Sequence, residues 1–371
     1  MEKKEQLQQT HQYDNQAIAE LLISNPVILP YLFWDNAISI HNSQNNQGPH
    51  SICYQEKDYF SALSNALLHA LLDKERFAKE ISIAEIETLH KECAVRTGGL
   101  NKSTVPGVMF GHGQHYEYGQ PFTHSFLNSI VEDAQLLDNM HLIEDFSYAI
   151  AYKPGLKDLI SNKKNVRETL LDKNDAGALD TIIFCNGLKT EEIHQIVNIL
   201  IQKYSNSMAH AASDQEKIKA MVEMIRPLQR LHPFVDANGR TMFMLLLNRE
   251  LVKHNMLPTI PDNPNDIDIC STDEAVQGIQ AGQARFKAVV IDKTIAIEDV
   301  RYHNIRNNTH GSLPQWWHQE VKEIVVAENF LDPVFVVQTE TKPIRALEHD
   351  YKQLKQGLEQ SQNTTEQQKP L

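Results

Sequence analysis

Met242-Phe243-Met244-Leu245-Leu246-Leu247 is an unbroken run of six apolar residues. A helix carrying such a run has no polar face to give to water, so it must be covered on all sides. The sequence supplies covering helices. Leu63, Ala66, Leu67, Ala70 and Leu71 recur at three and four residues between Tyr59 and Phe77, and Ile218, Met221, Val222, Ile225 and Leu228 mark one face of a helix over 214–231. Helical spacing also predicts a short N-terminal piece around Ala17, Leu21 and Leu22, and helices near 83–94, 123–139, 157–172, 191–204, 240–254, 271–286 and 316–326. No apolar stretch approaches the roughly 20 residues that cross a bilayer, so no membrane span is predicted.

β structure is sparse by the same reading. Asp180-Thr181-Ile182-Ile183-Phe184 is β-prone and Asn186-Gly187 beside it is a hairpin-turn signal, which predicts a short hairpin; a second strand is predicted at 334–338. Residues 42–49 and 97–121 are rich in Gly, Pro and Asn and read as irregular. The Gln-rich segment 352–371 has no aromatic residue and reads as a fraying helix that passes into a disordered tail.

Charge narrows the function classes. With 35 Lys+Arg against 48 Asp+Glu the net charge is −13, which argues against broad nucleic-acid binding, because neutralising phosphates needs clustered basic residues. A local basic site for one small anion is compatible with it. Cys53, Cys93, Cys185 and Cys270 lie far apart with no Cys-x-x-Cys pair, predicting reduced thiols in place of a zinc site or a disulfide framework. The first ten residues lack the apolar centre of a secretory signal, so synthesis and folding in a cytosol are expected.

Directly ahead of the apolar run stands His232-Pro233-Phe234-Val235-Asp236-Ala237-Asn238-Gly239-Arg240. Taken singly these residues are ordinary, since Asp and Asn cap helices and His-Pro is a common turn pair. Polar residues set between two buried helices need a joint reason. The turn into the apolar helix would offer unpaired backbone N–H groups and the positive end of the helix dipole, a site for phosphate. Gly239 would let the backbone approach closely, Arg240 would contact phosphate oxygens, Asp236 would hold Mg²⁺, and His232 is a candidate base.

This stretch resembles the signature of the Fic (Fic/Doc, or Fido) family, His-x-Phe-x-(Asp/Glu)-(Gly/Ala)-Asn-(Gly/Lys)-Arg, and every specified position agrees. The resemblance implies an all-α Fic-fold core over 80–290 with a β-hairpin flap, an N-terminal helical extension over 1–79, a small C-terminal appendage over 291–351 and the tail. It implies transfer of a phosphate-linked group from a nucleotide pyrophosphate to a hydroxyl of a target protein. His232 would take the hydroxyl proton and Phe234 would anchor the loop. Asp236 would bind Mg²⁺, the backbone of Ala237 and Gly239 with Asn238 would cradle phosphates, and Arg240 would stabilise the charge that develops. Thr181, Ile182, Ile183 and Phe184 would form the flap that docks the target.

By the resemblance the expected reaction is the family's default, AMP transfer from ATP, with phosphocholine transfer from CDP-choline as the alternative. Ala237 in place of the commoner Gly, and Phe243 where AMP-transferring members carry a second Arg, pull toward another donor such as CDP-choline. A phosphotransferase of the Doc kind would carry Lys at Gly239, and a non-catalytic binding module would not require the His232 base. The inhibitory (Ser/Thr)-x-x-x-Glu-(Gly/Asn) motif has no match, as Ile324 stands where Ser or Thr is needed before Glu328-Asn329. The resemblance also implies a bacterial protein with a host target, for which the polar tail suits a type IV translocation signal as well as it suits any disordered end.

Outside the motif, His112, His115 and His124 share a loop region with Tyr116 and Tyr118. They suit solvated loop residues, a metal, or an aromatic lining for a base or quaternary ammonium. Trp316-Trp317 fits a helix face docked on the core, and Lys163-Lys164 a solvated helix end.

Overall fold

The computed structural model describes residues 14–33, 59–96, 109, 114–118, 146–152, 159–161, 179–186, 190–234, 237–262, 267, 271–304, 309–312, 315–326 and 331, with the strands given by their backbone. The helices are α1 (Asn15–Ser24), the short α2 (Leu29–Leu32), α3 (Tyr59–Leu72), α4 (Lys74–Ala78), α5 (Ile83–Arg96), α6 (Thr190–His210) and α7 (Asp214–Leu231). After α7 come a wide-turned π-helical stretch, Arg240–Leu247, that runs on as α8 (Asn248–Lys253), then α9 (Thr272–Phe286) and α10 (Gln315–Val326).

Local chemistry sets these boundaries. Asp73 accepts a hydrogen bond from the Arg76 N–H and so starts α4, splitting the predicted 59–77 helix in two. Reciprocal Ser–Glu caps open α7 through Ser213 and Glu216 and open α9 through Ser271 and Glu274. The buried face of α7 is the one its spacing predicts: Ile218, Met221, Val222, Ile225 and Leu228 are each at most 1% exposed.

The apolar run is covered on all sides as required. Met242 to Leu247 are buried throughout and sit in one apolar cluster with Leu63, Leu67, Ile86, Leu89, Ile196 and Val222, from α3, α5, α6 and α7. Residues of α1, α2 and α10 belong to the same cluster. The Tyr31 hydroxyl pairs with His318 Nδ1 at 2.6 Å, which fastens α10 to α2. Buried charges bind the layers as well: Arg76 holds Glu85 at 2.8 Å and Glu92 at 2.9 Å, and fully buried Arg249 pairs with Glu250 and reaches the Lys79 carbonyl at 3.1 Å.

Helices make the core, in keeping with an all-α class, but the β structure departs from the expected hairpin. β1 (Gln114–Tyr118), β2 (Phe146–Tyr152), β3 (Leu159–Ser161) and β4 (Leu179–Asn186) form an antiparallel sheet in the order β1-β4-β2-β3. Ile182–Phe184 do lie in a strand. Its partners are β1 and β2, far upstream, α6 begins at Thr190, and Gly187 lies outside the described residues, so the expected hairpin is not seen among the described residues. β3 also stands inside the 157–172 helix that spacing predicted. A second pair, β5 (Arg301–Asn304) with β6 (Thr309–Ser312), was not anticipated. The predicted helix at 123–139, the strand at 334–338, Lys163-Lys164 and the tail lie outside the described residues.

Candidate active site

α7 ends at His232, whose φ of 50° and ψ of 57° put it in the left-handed region, with its N–H donating to the Gln229 carbonyl at 3.1 Å. A left-handed residue followed by proline is a strong helix stop, because Pro233 can neither continue the helix nor donate. His232 is thereby turned out of α7 at the mouth of the loop, partly exposed, and Phe234 turns in. Phe234 is 1% exposed and its ring lies parallel to that of buried His90 of α5, with centroids 3.8 Å apart.

Asn238 closes the loop. Asn238 Oδ1 accepts the Phe234 N–H at 2.9 Å, and Asn238 Nδ2 donates to the Phe234 carbonyl at 2.8 Å. Both backbone groups are thus satisfied inside the protein, and the chain is pinned on either side of Val235 and Asp236. Ala237 takes a φ of 61°, and its carbonyl accepts from the Thr241 N–H at 3.0 Å and the Thr241 hydroxyl at 2.9 Å. A non-glycine residue there costs about 1 kcal/mol or more, and such strain gathers at functional turns. The left-handed φ explains why glycine suits this position.

Arg240 begins the π-helical stretch and is partly exposed, with its guanidinium carbon 5.1 Å from the centre of the Tyr59 ring. Phe243, one turn on, is 4% exposed. It lines a small hollow with Thr259, Pro261, Asp262, Ile267, Ala275, Gly278 and Ile279. Phe243 therefore places an apolar side chain where a second arginine would place charge.

The structure brings His232, Phe234, Ala237, Asn238, Gly239 and Arg240 into one turn between α7 and the buried helix. Asp236, the candidate Mg²⁺ ligand, lies outside the described residues, as do His112 and His124. His115, Tyr116 and Tyr118 fall in β1, where His115 is in register with Phe184 of β4. No cluster of three metal-ligating side chains exists among the described residues. Thr181 to Phe184 are placed in β4 by their backbone.

Away from the motif, burial perturbs Tyr204 and His254. Burial, and then Glu250, push the Tyr204 hydroxyl far above its ordinary value, and burial pushes His254 down. Tyr204 donates to Glu250 at 2.7 Å within the ion-pair network at the far end of the buried helix. Tyr59 and His90, which touch the motif from α3 and α5, were missed at the level of sequence. The one usable signal was His90, a polar residue in line with the apolar Ile86, Leu89 and Cys93.

Comparison with known proteins bears on this turn. Residues 187–248 match the Fic/DOC family. Over 92 residues, a quarter of this chain, the sequence is 37% identical to the phosphocholine transferase AnkX of Legionella pneumophila. The matched part is 10% of that protein, so the chain spans only a small fraction of its relative's length.

Proposed function

We propose, for a chain whose residues 187–248 match the Fic/DOC family, that it transfers a phosphate-linked group from a nucleotide pyrophosphate donor to a hydroxyl of a target protein. The carrying observation is the pinned loop: Asn238 ties Phe234 from both backbone sides, holding His232 and Arg240 at its two ends. In this reading His232 accepts the target hydroxyl proton as that oxygen attacks phosphorus. The phosphorus–oxygen bond to the bridging oxygen breaks, and Arg240 offsets the charge gathering on the leaving phosphate. Backbone N–H groups of Ala237, Asn238 and Gly239 orient the donor's phosphates.

Mg²⁺ suits the donor set, since it is commonly held by one or two carboxylates together with substrate phosphates, and Asp236 supplies one such carboxylate. When bound it would neutralise phosphate charge. A binding module without chemistry has no need of His232.

CDP-choline is the donor this reading favours, with phosphocholine transferred and CMP released. Two observations support it: the buried Phe243 in the place of a second arginine, and the similarity to a phosphocholine transferase. AMP transfer from ATP is the second reading, because His232, the loop and Arg240 would serve it equally. In it the oxygen attacks the α-phosphorus and pyrophosphate leaves. Incubation of the full chain with a lysate and either choline-labelled CDP-choline or α-labelled ATP separates them. Protein-bound label from CDP-choline alone supports the favoured donor, and label from ATP alone overturns it.

The flap reading of Thr181–Phe184 stands within the same proposal. In the sheet its backbone is paired with β1 on one edge and β2 on the other, so docking an extended target peptide there would require one of those strands to part. A bacterial effector acting on a host protein is the setting proposed with it.

A further inference from the structure

We infer that Tyr59 is a positioning residue for Arg240, so that α3, which lies outside the family-matched segment, completes the site. The inference rests on the reading of Arg240 as the group that offsets phosphate charge. The Arg240 guanidinium carbon stands 5.1 Å from the Tyr59 ring centre, inside the roughly 6 Å at which a cation is held by an aromatic face.

The ring is itself fixed. Tyr59 is 1% exposed, and its hydroxyl lies 3.4 Å from the Phe33 carbonyl and 3.5 Å from Met244 Sδ. Phe60 meets it edge-on at 4.8 Å. Met244 is one turn beyond Arg240, so the Tyr59 side chain meets the buried helix at two points, ring to Arg240 and hydroxyl to Met244. A long arginine side chain in solvent samples many rotamers, whereas one laid on an immobile ring keeps its planar fork aimed in one direction before any donor arrives. Tyr59 touches no reacting atom, so its effect is on the orientation of Arg240.

Tyr59→Phe keeps the ring and Tyr59→Leu removes it. In the full-length protein, the Arg240 Nε–Hε resonance, identified by its loss in Arg240→Lys, is expected to be displaced by the ring current in wild type and in Tyr59→Phe. In Tyr59→Leu it should return to the range of unstacked arginines. Where transfer is measured, Tyr59→Leu should lower kcat about tenfold with little change in the donor KM, a loss between those of an exposed and a desolvated cation–π contact, and Tyr59→Phe should restore it. An undisplaced resonance in wild type overturns the inference whether or not the protein transfers anything. So does a Tyr59→Leu variant with unchanged or raised kcat. Absence of transfer by wild type, with the resonance displaced, counts against the proposed function alone.

Discussion

Loss of the Asn238 amide would leave the buried Phe234 N–H and carbonyl without their partner. Unmet buried polar groups cost about 1–3 kcal/mol, so Asn238→Ala should lower the free energy of unfolding by that amount in urea titration. An unchanged midpoint would mean that the loop is held by something else. The motif itself was legible in the sequence, because nine neighbouring residues carry it. Its supports were not. Tyr59 and His90 reach Arg240 and Phe234 from helices more than a hundred positions away, and a buried aromatic on a helix reads as core until the partner is seen. Ala237 lay between these cases: its identity was visible, its left-handed backbone was not.

Among the elements, α9 shows how close the packing is. A Cβ on Gly282 would stand 2.0 Å from Thr259 Oγ1 and 2.7 Å from the Ile260 carbonyl, so Gly282→Ala must push α9 off the 259–260 segment. The expected cost is about 1–3 kcal/mol. Gly278 on the same helix has nothing within 4 Å of its would-be Cβ, and Gly278→Ala should stabilise by about 0.5–1 kcal/mol through helix propensity. Thermal melts of the two variants should therefore shift in opposite directions, and a shared direction would refute this account of α9. Helices such as α7 and α9 were legible because caps and apolar faces are local signals. The sheet was not, because β4 finds its partners in β1 and β2 and an Asn-Gly pair specifies a turn only if a strand follows it.

At the scale of the molecule, the family-matched segment 187–248 is not where the core ends. The apolar run inside it is covered by α3 and α5, and Arg249 just beyond it reaches back to the Lys79 carbonyl. A fragment limited to 187–260 should show no cooperative thermal unfolding, while the whole chain should show one; a cooperative melt of the fragment would contradict the shared core. The net charge of −13 argues against broad nucleic-acid binding, and it is compatible with the cationic position at Arg240 that the proposed chemistry uses. That chemistry is tested most directly by the intact mass of a modified target protein after incubation with CDP-choline and ATP together, using wild type and His232→Ala side by side. The account predicts addition of one phosphocholine by wild type and no addition by the variant. Equal modification by both proteins would contradict it.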